Sequence, residues 1–413
     1  MAQFKMSDVD ALFKIKYEKL SENVYNSSNV LLGRVKKSYK FTGKQIAIAI
    51  PQSFSGGVGS GSLPKSNIAN YGDARISAKK MYAVVEIDRE TIKASLSDEG
   101  AFVRATKEVV QKGVESFMRN LSRCLFNDAS GKLGIIDPTA SSALADRGTA
   151  AAPIVEITAD SFKEANLEEK DLVNIGTGNA STASLMEIVE VNVAAKTVKL
   201  SRLVGTQDLS TGTITEVDIF MQGSEGNDPE GLKLLERTSA STPNASYGIN
   251  HGRRWQAVQK TVATDISTDL LNEMMLKVKK QSGKSPNLIV ASFKQYEKIL
   301  NLLESQKRYT VPTRAGLKSK SGADISFSGV EFMSVDGPVG IFPERFVEED
   351  RIYFLNDNHI HIHHRPDFGW FDDDGTVFLR KSDSDAYEAR YGGYLQAYIN
   401  PCFHGVLDGL TAV

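Results

Sequence analysis

Residues Glu99–Phe126 read EGAFVRATKEVVQKGVESFMRNLSRCLF, and the fold of this 413-residue chain turns on that stretch. Val103, Val110, Val114, Phe117, Leu121 and Leu125 recur at steps of seven, four, three, four and four, which puts them on one face of a 3.6-period helix. Asp98 stands where an N-cap belongs. Such a helix runs ~40 Å at ~1.5 Å per residue, far beyond the ~11–12-residue average, so it is expected to serve as a spine. Gly113 interrupts it at ~1 kcal/mol relative to Ala, which predicts a close neighbour at that point.

Upstream, Val9, Leu12, Phe13 and Leu20 fall near helical spacing and a polar stretch follows to Asn29, so residues 1–34 read as an arm. Ile46, Ile48 and Ile50 then alternate with Gln45, Ala47 and Ala49 in the period-two pattern of a strand that ends at Pro51. Gly56, Gly57, Gly59 and Gly61 follow among serines, and Arg75–Ile92 resumes strand character with Val84, Val85 and Ile87. Residues 35–95 are thus expected to form one long hairpin with a flexible tip. Isolated two-stranded ribbons are marginal in water, so the hairpin is expected to lie on another chain or domain.

Downstream, residues 96–150 carry the spine and end in an Ala-, Ser- and Thr-rich stretch, Thr139–Ala152, that reads as a linker. Within 151–228, strand-like runs at Leu172–Ile175, Leu185–Val193, Thr197–Leu203 and Thr213–Phe220 predict a small inserted β-barrel, followed by a second linker at Gly223–Gly231. Residues 229–413 alternate between periods. Thr268–Lys280 and Phe293–Leu303 read as helices, and Asn287–Ala291, Val330–Val335, Arg351–Leu355 and His359–His363 as strands. The fold class expected is α+β, with a mixed α/β domain after the second linker.

Lys+Arg number 49 against 51 Asp+Glu, and the net charge of −2 provides no global field for gathering nucleic acid or an anionic membrane. The segment 277–320 is locally cationic, with eleven Lys/Arg against Glu297 and Glu304; it reads as a solvated face or as a surface for an acidic partner. No apolar run approaches the ~18–20 residues that cross a bilayer. Cys124 and Cys402 make no disulfide framework, and a reducing setting is the preferred reading.

Catalytic signatures fail on context. The glycines at 56–61 precede more strand instead of opening a helix, so they are not a dinucleotide turn. Gly283-Lys284-Ser285 lies between a helix and a strand, the reverse of a Walker loop, and Asp372-Asp373-Asp374-Gly375 lacks the alternation of a calcium loop. The remaining cluster is His359-Ile360-His361-Ile362-His363-His364. On a strand, His359, His361 and His363 share one face and, with Asp357 or Asp367, offer metal ligands; the alternative is a half-exposed strand whose polar face is histidine. No cofactor and no catalytic residues are expected.

The order of arm, extended hairpin, spine and axial α/β unit resembles the major capsid protein of tailed bacteriophages, the Hong Kong 97-like fold. Ser285-Pro286-Asn287-Leu288-Ile289-Val290-Ala291-Ser292 is similar to the family's strand entering its second axial helix, and Tyr387-Glu388-Ala389-Arg390-Tyr391 before Leu395–Pro401 is similar to its closing strands. The resemblance implies a non-enzymatic coat protein whose hexamers and pentamers close an icosahedral head around double-stranded DNA without sequence-specific binding. It implies assembly in the host cytoplasm and residence in the virion, with scaffolding, portal and decoration proteins as partners. For assembly it points to the tip at Gly56, Gly57, Gly59 and Gly61, which would lie over a neighbour. Val103, Val110, Val114, Phe117 and Leu121 would pack the spine on the chain's own sheet. The barrel is absent from the minimal fold, and the short arm leaves no room for a long scaffolding segment, implying a separate scaffold or a cleaved piece. Alternative readings are an encapsulin-like shell and a metal-dependent enzyme built on His359 and His361.

Overall fold

The computed structural model describes residues 30–38, 41, 45–53, 70–89, 99–158, 161–177, 180–205, 209–210, 217–236, 247–249, 255–305, 317–318, 324–325, 330–334, 336–371, 377–382 and 384–411. In chain order the first elements are helix α1 (Val30–Arg34), strands β1 (Lys36–Ser38), β2 (Gln45–Ser53), β3 (Asn70–Ser77) and β4 (Lys79–Asp88), and helix α2 (Glu99–Phe126). A β-rich run follows with β5 (Lys132–Ile136), α3 (Pro138–Ala143), β6 (Gly148–Thr149), β7 (Ala152–Glu156), β8 (Leu172–Thr177), β9 (Ala180–Asn192), β10 (Thr197–Gly205) and β11 (Val217–Met221). Then come β12 (Val258–Thr261), α4 (Thr268–Ser282), β13 (Leu288–Ala291), α5 (Phe293–Ser305) and the two-stranded ribbon of β14 (Leu317–Lys318) and β15 (Asp324–Ile325). The chain closes with β16 (Val330–Ser334), β17 (Gly337–Pro343), β18 (Ile352–Leu355), β19 (Ile360–Trp370), β20 (Phe378–Arg380), β21 (Ala386–Ile399) and β22 (Gly405–Asp408).

Helix α2 packs on a sheet ordered β1-β19-β21-β20, with β4 on the free side of β21. Val114, Phe117, Met118, Leu121 and Leu125 are buried in one cluster with Tyr391, Leu395 and Ile360. The Phe117 ring meets Tyr391 edge-on at 5.1 Å and Phe368 at 5.5 Å. Each such side chain contributes ~1.5–3 kcal/mol on burial, so the stripe binds the helix firmly to its own sheet. A Cβ on Gly113 would stand 2.5 Å from Val85 Cγ2, which is why the helix tolerates glycine there. Val103 and Val110 lie within α2, but their side chains, like Asp98, are outside the described residues.

The expected single hairpin divides into two pairings. β2 pairs with β3, placing Ile46 opposite Ile76 and Ile48 opposite Ala74. β4 leaves after Ala78 and runs antiparallel to β21, with Val85 opposite Ala389. A period-two pattern marks a strand but does not name its partner, and β21 offers β4 a sheet that α2 covers. The base of the β2–β3 ribbon folds onto a distant part of its own chain, one of the two supports expected for it. Ile50, Ala74 and Ile76 are buried with Phe41, Tyr247, Ile249, Trp255 and Tyr398, and the Arg75 N–H donates to the Tyr247 carbonyl at 2.8 Å.

The β-rich module starts at β5, earlier than residue 151, because β5 pairs with β11. Its order is β5-β11-β8-β9-β10-β7-β6. The barrel closes where Asp137 N–H donates to the Glu156 carbonyl and Thr158 N–H to the Ile135 carbonyl, both at 2.8 Å. Val173, Ile175, Met186, Ile188, Val198, Leu200 and Ile219 fill it. The stretch expected as a linker instead holds α3, because the Asp137 carboxylate accepts from Thr139 and Ala140 N–H and Pro138 takes the first helical turn. The second expected linker is likewise fastened, through buried Asp228 and Arg123 at 2.8 Å.

The axial sheet is ordered β12-β22-β18-β13-β17-β16. β13 is buried at all four residues, so it reads as an unbroken apolar run. Leu271, Met274, Met275 and Val278 seat α4 on this sheet; Ser267 caps its start and Gly283, at φ 74°, ends it. No helix among the described residues is long and apolar enough to cross a membrane.

Candidate assembly surfaces

Strand geometry turns alternate side chains of β4 to opposite faces. Val85 and Ile87 are buried toward α2, whereas Tyr82 and Val84 on the outer face remain 46% and 53% exposed. Tyr82 meets Phe371 edge-on at 5.7 Å, and Tyr71 on β3 is 57% exposed. Burial first, then a hydrogen bond with Tyr394, raises the Tyr82 hydroxyl above its ordinary pKa. Among the described strands β4 pairs only with β21, which leaves its other edge without a strand partner among the described residues, the condition under which a strand accepts another chain. A second surface lies on α5, where Phe293 is 60% and Leu300 37% exposed, with half-buried Tyr296 between them at helical spacing. Single exposed apolar residues are ordinary, but these follow the period of the element that carries them.

The residues expected to matter for assembly divide into two groups. Val114, Phe117 and Leu121 are buried on the chain's own sheet. The tip glycines Gly56, Gly57, Gly59 and Gly61 lie outside the described residues.

The histidine cluster differs from its expected form. His359 belongs to a 3-10 turn, Asp357–His359, and its ring lies flat on Phe403 with centroids 3.6 Å apart. His361 is half-buried, whereas His363 and His364 are buried along with Ile360 and Ile362. β19 is central, between β1 and β21, so both of its edges are paired; Phe41 and Tyr398 flank His363 at 6.4 and 6.3 Å. Asp357 is committed to Arg34 at 3.1 Å and Asn287 at 2.6 Å, and the Asp367 side chain is outside the described residues. Among the described residues no three His, Cys, Asp or Glu side chains converge as metal ligands. Burial, reinforced by nearby Lys284, His361 and Lys36, holds His359 below its ordinary pKa, and burial with Lys36 does the same to His361. His404 is fully buried; its Nδ1 accepts from the Asn356 N–H at 3.2 Å, and burial followed by His359 lowers its pKa to about 3. Cys124 and Cys402 are both free thiols.

A buried charge cluster ties the modules together. Glu348, beyond β17, accepts from Lys233 at 2.8 Å and pairs with Lys163 of the barrel module at 3.3 Å. Arg351 bridges Glu348 and Glu236, and the Tyr353 hydroxyl donates to Glu236 at 2.6 Å. Burial by itself would raise the Glu348 carboxyl, but Lys163, Lys233 and Arg351 overcome that and bring it down to about 2. Arg119 of α2 adds a further tie to the barrel through Asp171 at 2.7 Å and Glu168. Sequence reasoning missed this cluster, because each member is an ordinary charge and, apart from Glu348 and Arg351 three positions apart, the partners lie over a hundred positions away.

The sequence model of the family described as SU10 major capsid protein matches residues 69–367. No curated protein sequence matches the chain. Among solved structures, the chain is similar to one from the cyanophage A-1(L) capsid asymmetric unit at 12% identity and TM-score 0.49, with 93% of each chain covered. It is similar to a chain of Mycobacterium phage Bobi at 11% identity and TM-score 0.43, covering 98% of this chain and 99% of that one. A chain of the satellite phage P4 procapsid gives 9% identity and TM-score 0.41, covering 95% and 91%.

Proposed function

We propose that this chain, which belongs to the SU10 major capsid protein family, is a tailed-phage coat protein of the Hong Kong 97-like α+β fold whose hexamers and pentamers close an icosahedral head around double-stranded DNA. Its role is structural, its partner in the capsid is itself, and its place is the virion. The finer reading adds assembly in the host cytoplasm with separate scaffolding and portal proteins, and an inserted barrel that offers a platform for decoration proteins. It divides the chain into an arm (1–34), an extended loop (35–95), a peripheral domain built on α2, an inserted module over Lys132–Met221 and an axial domain completed by the returning strands.

The observation that carries this reading is the periodic exposure of Tyr82 and Val84 on an open-edged strand and of Phe293 and Leu300 on α5. A single copy leaves those stripes in water, whereas identical neighbours in a closed shell would cover them. The tip at Gly56, Gly57, Gly59 and Gly61 is proposed to reach over a neighbour. Purified protein examined by negative-stain microscopy should form closed polyhedral particles, and a compact monomer that persists under all assembly conditions would overturn the reading. Hydrogen exchange over residues 54–69 should slow on passing from dilute subunits to particles; equal rates in both states would remove the tip from the interface.

A further inference from the structure

Four groups able to carry positive charge come together at one edge of the peripheral sheet. The parallel pairing of β1 with β19 sets Lys36 opposite His361. Asn356 Nδ2 donates to the Ser285 carbonyl at 3.0 Å, and Asp357 N–H donates to Asn287 Oδ1 at 3.0 Å, so the loop carrying Lys284 is fastened to the turn carrying His359. Lys284 Nζ stands 3.3 Å from His359 Nε2 and 5.5 Å from the centre of the Phe403 ring on which that imidazole stacks. Lys36 Nζ donates to Asn358 Oδ1 at 3.1 Å. The nearby carboxylate, Asp357, is occupied by Arg34. Among the described residues neither Lys36 nor Lys284 has a carboxylate within ion-pair distance. Two ammonium groups thus flank imidazoles whose protonation they oppose, in a frame fixed by backbone and amide hydrogen bonds, a cationic arrangement complementary to an oxyanion.

We propose that Lys36, Lys284 and His359 form a contact for the phosphodiester backbone of the nucleic acid that the shell encloses. The proposal rests on the shell reading given above. Copies of net charge −2 have no general electrostatic attraction for one another, whereas duplex DNA presents about one charge per ~1.7 Å of its axis. Contact through two lysines and one imidazole is independent of sequence and weak in each copy, and a shell repeats it many times over.

The test measures binding of a fluorescent mixed-sequence DNA duplex by full-length subunits and by assembled particles across a sodium chloride series. At ~0.9 per phosphate contact, Lys36→Ala with Lys284→Ala should flatten the slope of log affinity against log salt by about 1.8. A charge-matched control, Lys280→Ala with Lys294→Ala, should leave the slope unchanged. An unchanged slope in the first variant, or equal flattening by the control, overturns the proposal. If the first variant blocks particle formation in the absence of DNA, the patch is a contact between copies and the proposal also fails. Should wild-type protein form no particles, the shell reading fails, and the subunit salt series still decides whether this patch holds phosphate.

Discussion

At the scale of single residues, steric space and desolvation set the strongest constraints. A Cβ on Gly231 would stand 2.2 Å from the Cys124 carbonyl oxygen and 2.5 Å from that of Asn127, both backbone atoms at the end of α2. Gly231→Ala is therefore expected to cost ~2 kcal/mol or more, seen as a lower urea midpoint, since neither carbonyl can swing aside as a side-chain tip would. Glu344 illustrates desolvation. Burial lifts its carboxyl from 4.5 to about 7, against the opposing Arg345 N–H at 3.0 Å. The folded state thus holds this proton more tightly than the unfolded chain does, so its contribution falls as pH rises from about 4.5 to about 7 and stays low above that. Glu344→Gln should raise stability by about 2–3 kcal/mol at pH 8 and change little at pH 4, at ~1.4 kcal/mol per tenfold in affinity for the proton. An equal gain at both pH values in denaturant titrations would discount burial as the cause. Neither site stands out in the sequence, because the crowding around Gly231 and the desolvation of Glu344 both depend on residues brought in from elsewhere.

At the scale of elements, local periodicity was read more successfully than partnership. The helix expected over Glu99–Phe126 occupies those residues, since its stripe repeats over about six turns at 3.6 residues each and needs no long-range information. Phe117→Ala should lose about 3–5 kcal/mol, because the ring fills a space between Tyr391 and Phe368 that the sheet cannot collapse into. The outer face of β4 should behave oppositely. Tyr82→Ser with Val84→Ser is expected to leave the denaturation midpoint nearly unchanged while lowering the yield of particles in sedimentation, and a large drop in subunit stability would show that the face packs within one copy. The misread elements share a cause. Thr139–Ala152 looked like a linker by composition, yet a two-residue signal, Asp137 followed by Pro138, was enough to start α3. The separation of β4 from β3 at Ala78 rests on the β21 partner, more than 290 positions away, which no local pattern reveals.

At the scale of the whole molecule, the charge cluster around Glu348 joins Lys163 of the β-rich module, Lys233 between β11 and β12, and the loop between β17 and β18. Its folded carboxyl sits at about 2 and its ordinary value is 4.5, so its stabilisation is present above about pH 4.5 and is lost as pH falls toward 2. Glu348→Gln should cost about 3 kcal/mol at pH 7 and almost nothing at pH 2, measured by denaturant unfolding, with the barrel module losing its docking first. A pH-independent cost would mean that packing, not charge, is what the substitution removes. The sequence by itself determined the class: the 3.6-period stripe of α2, the buried run at Leu288–Ala291, the helices on either side of it and the β-rich insert are all written in side-chain spacing. It also fixed the lack of a global cationic field, since net charge is a sum over residues and needs no geometry. Tertiary structure alone decided that the histidine strand is central and paired at both edges, that the ribbon base rests on Tyr247 and Trp255, that the barrel closes at Asp137 and Thr158, and that Lys163 finds Glu348. Those outcomes depend on which distant surfaces exclude water together, a property of the folded chain that neighbours in sequence do not encode.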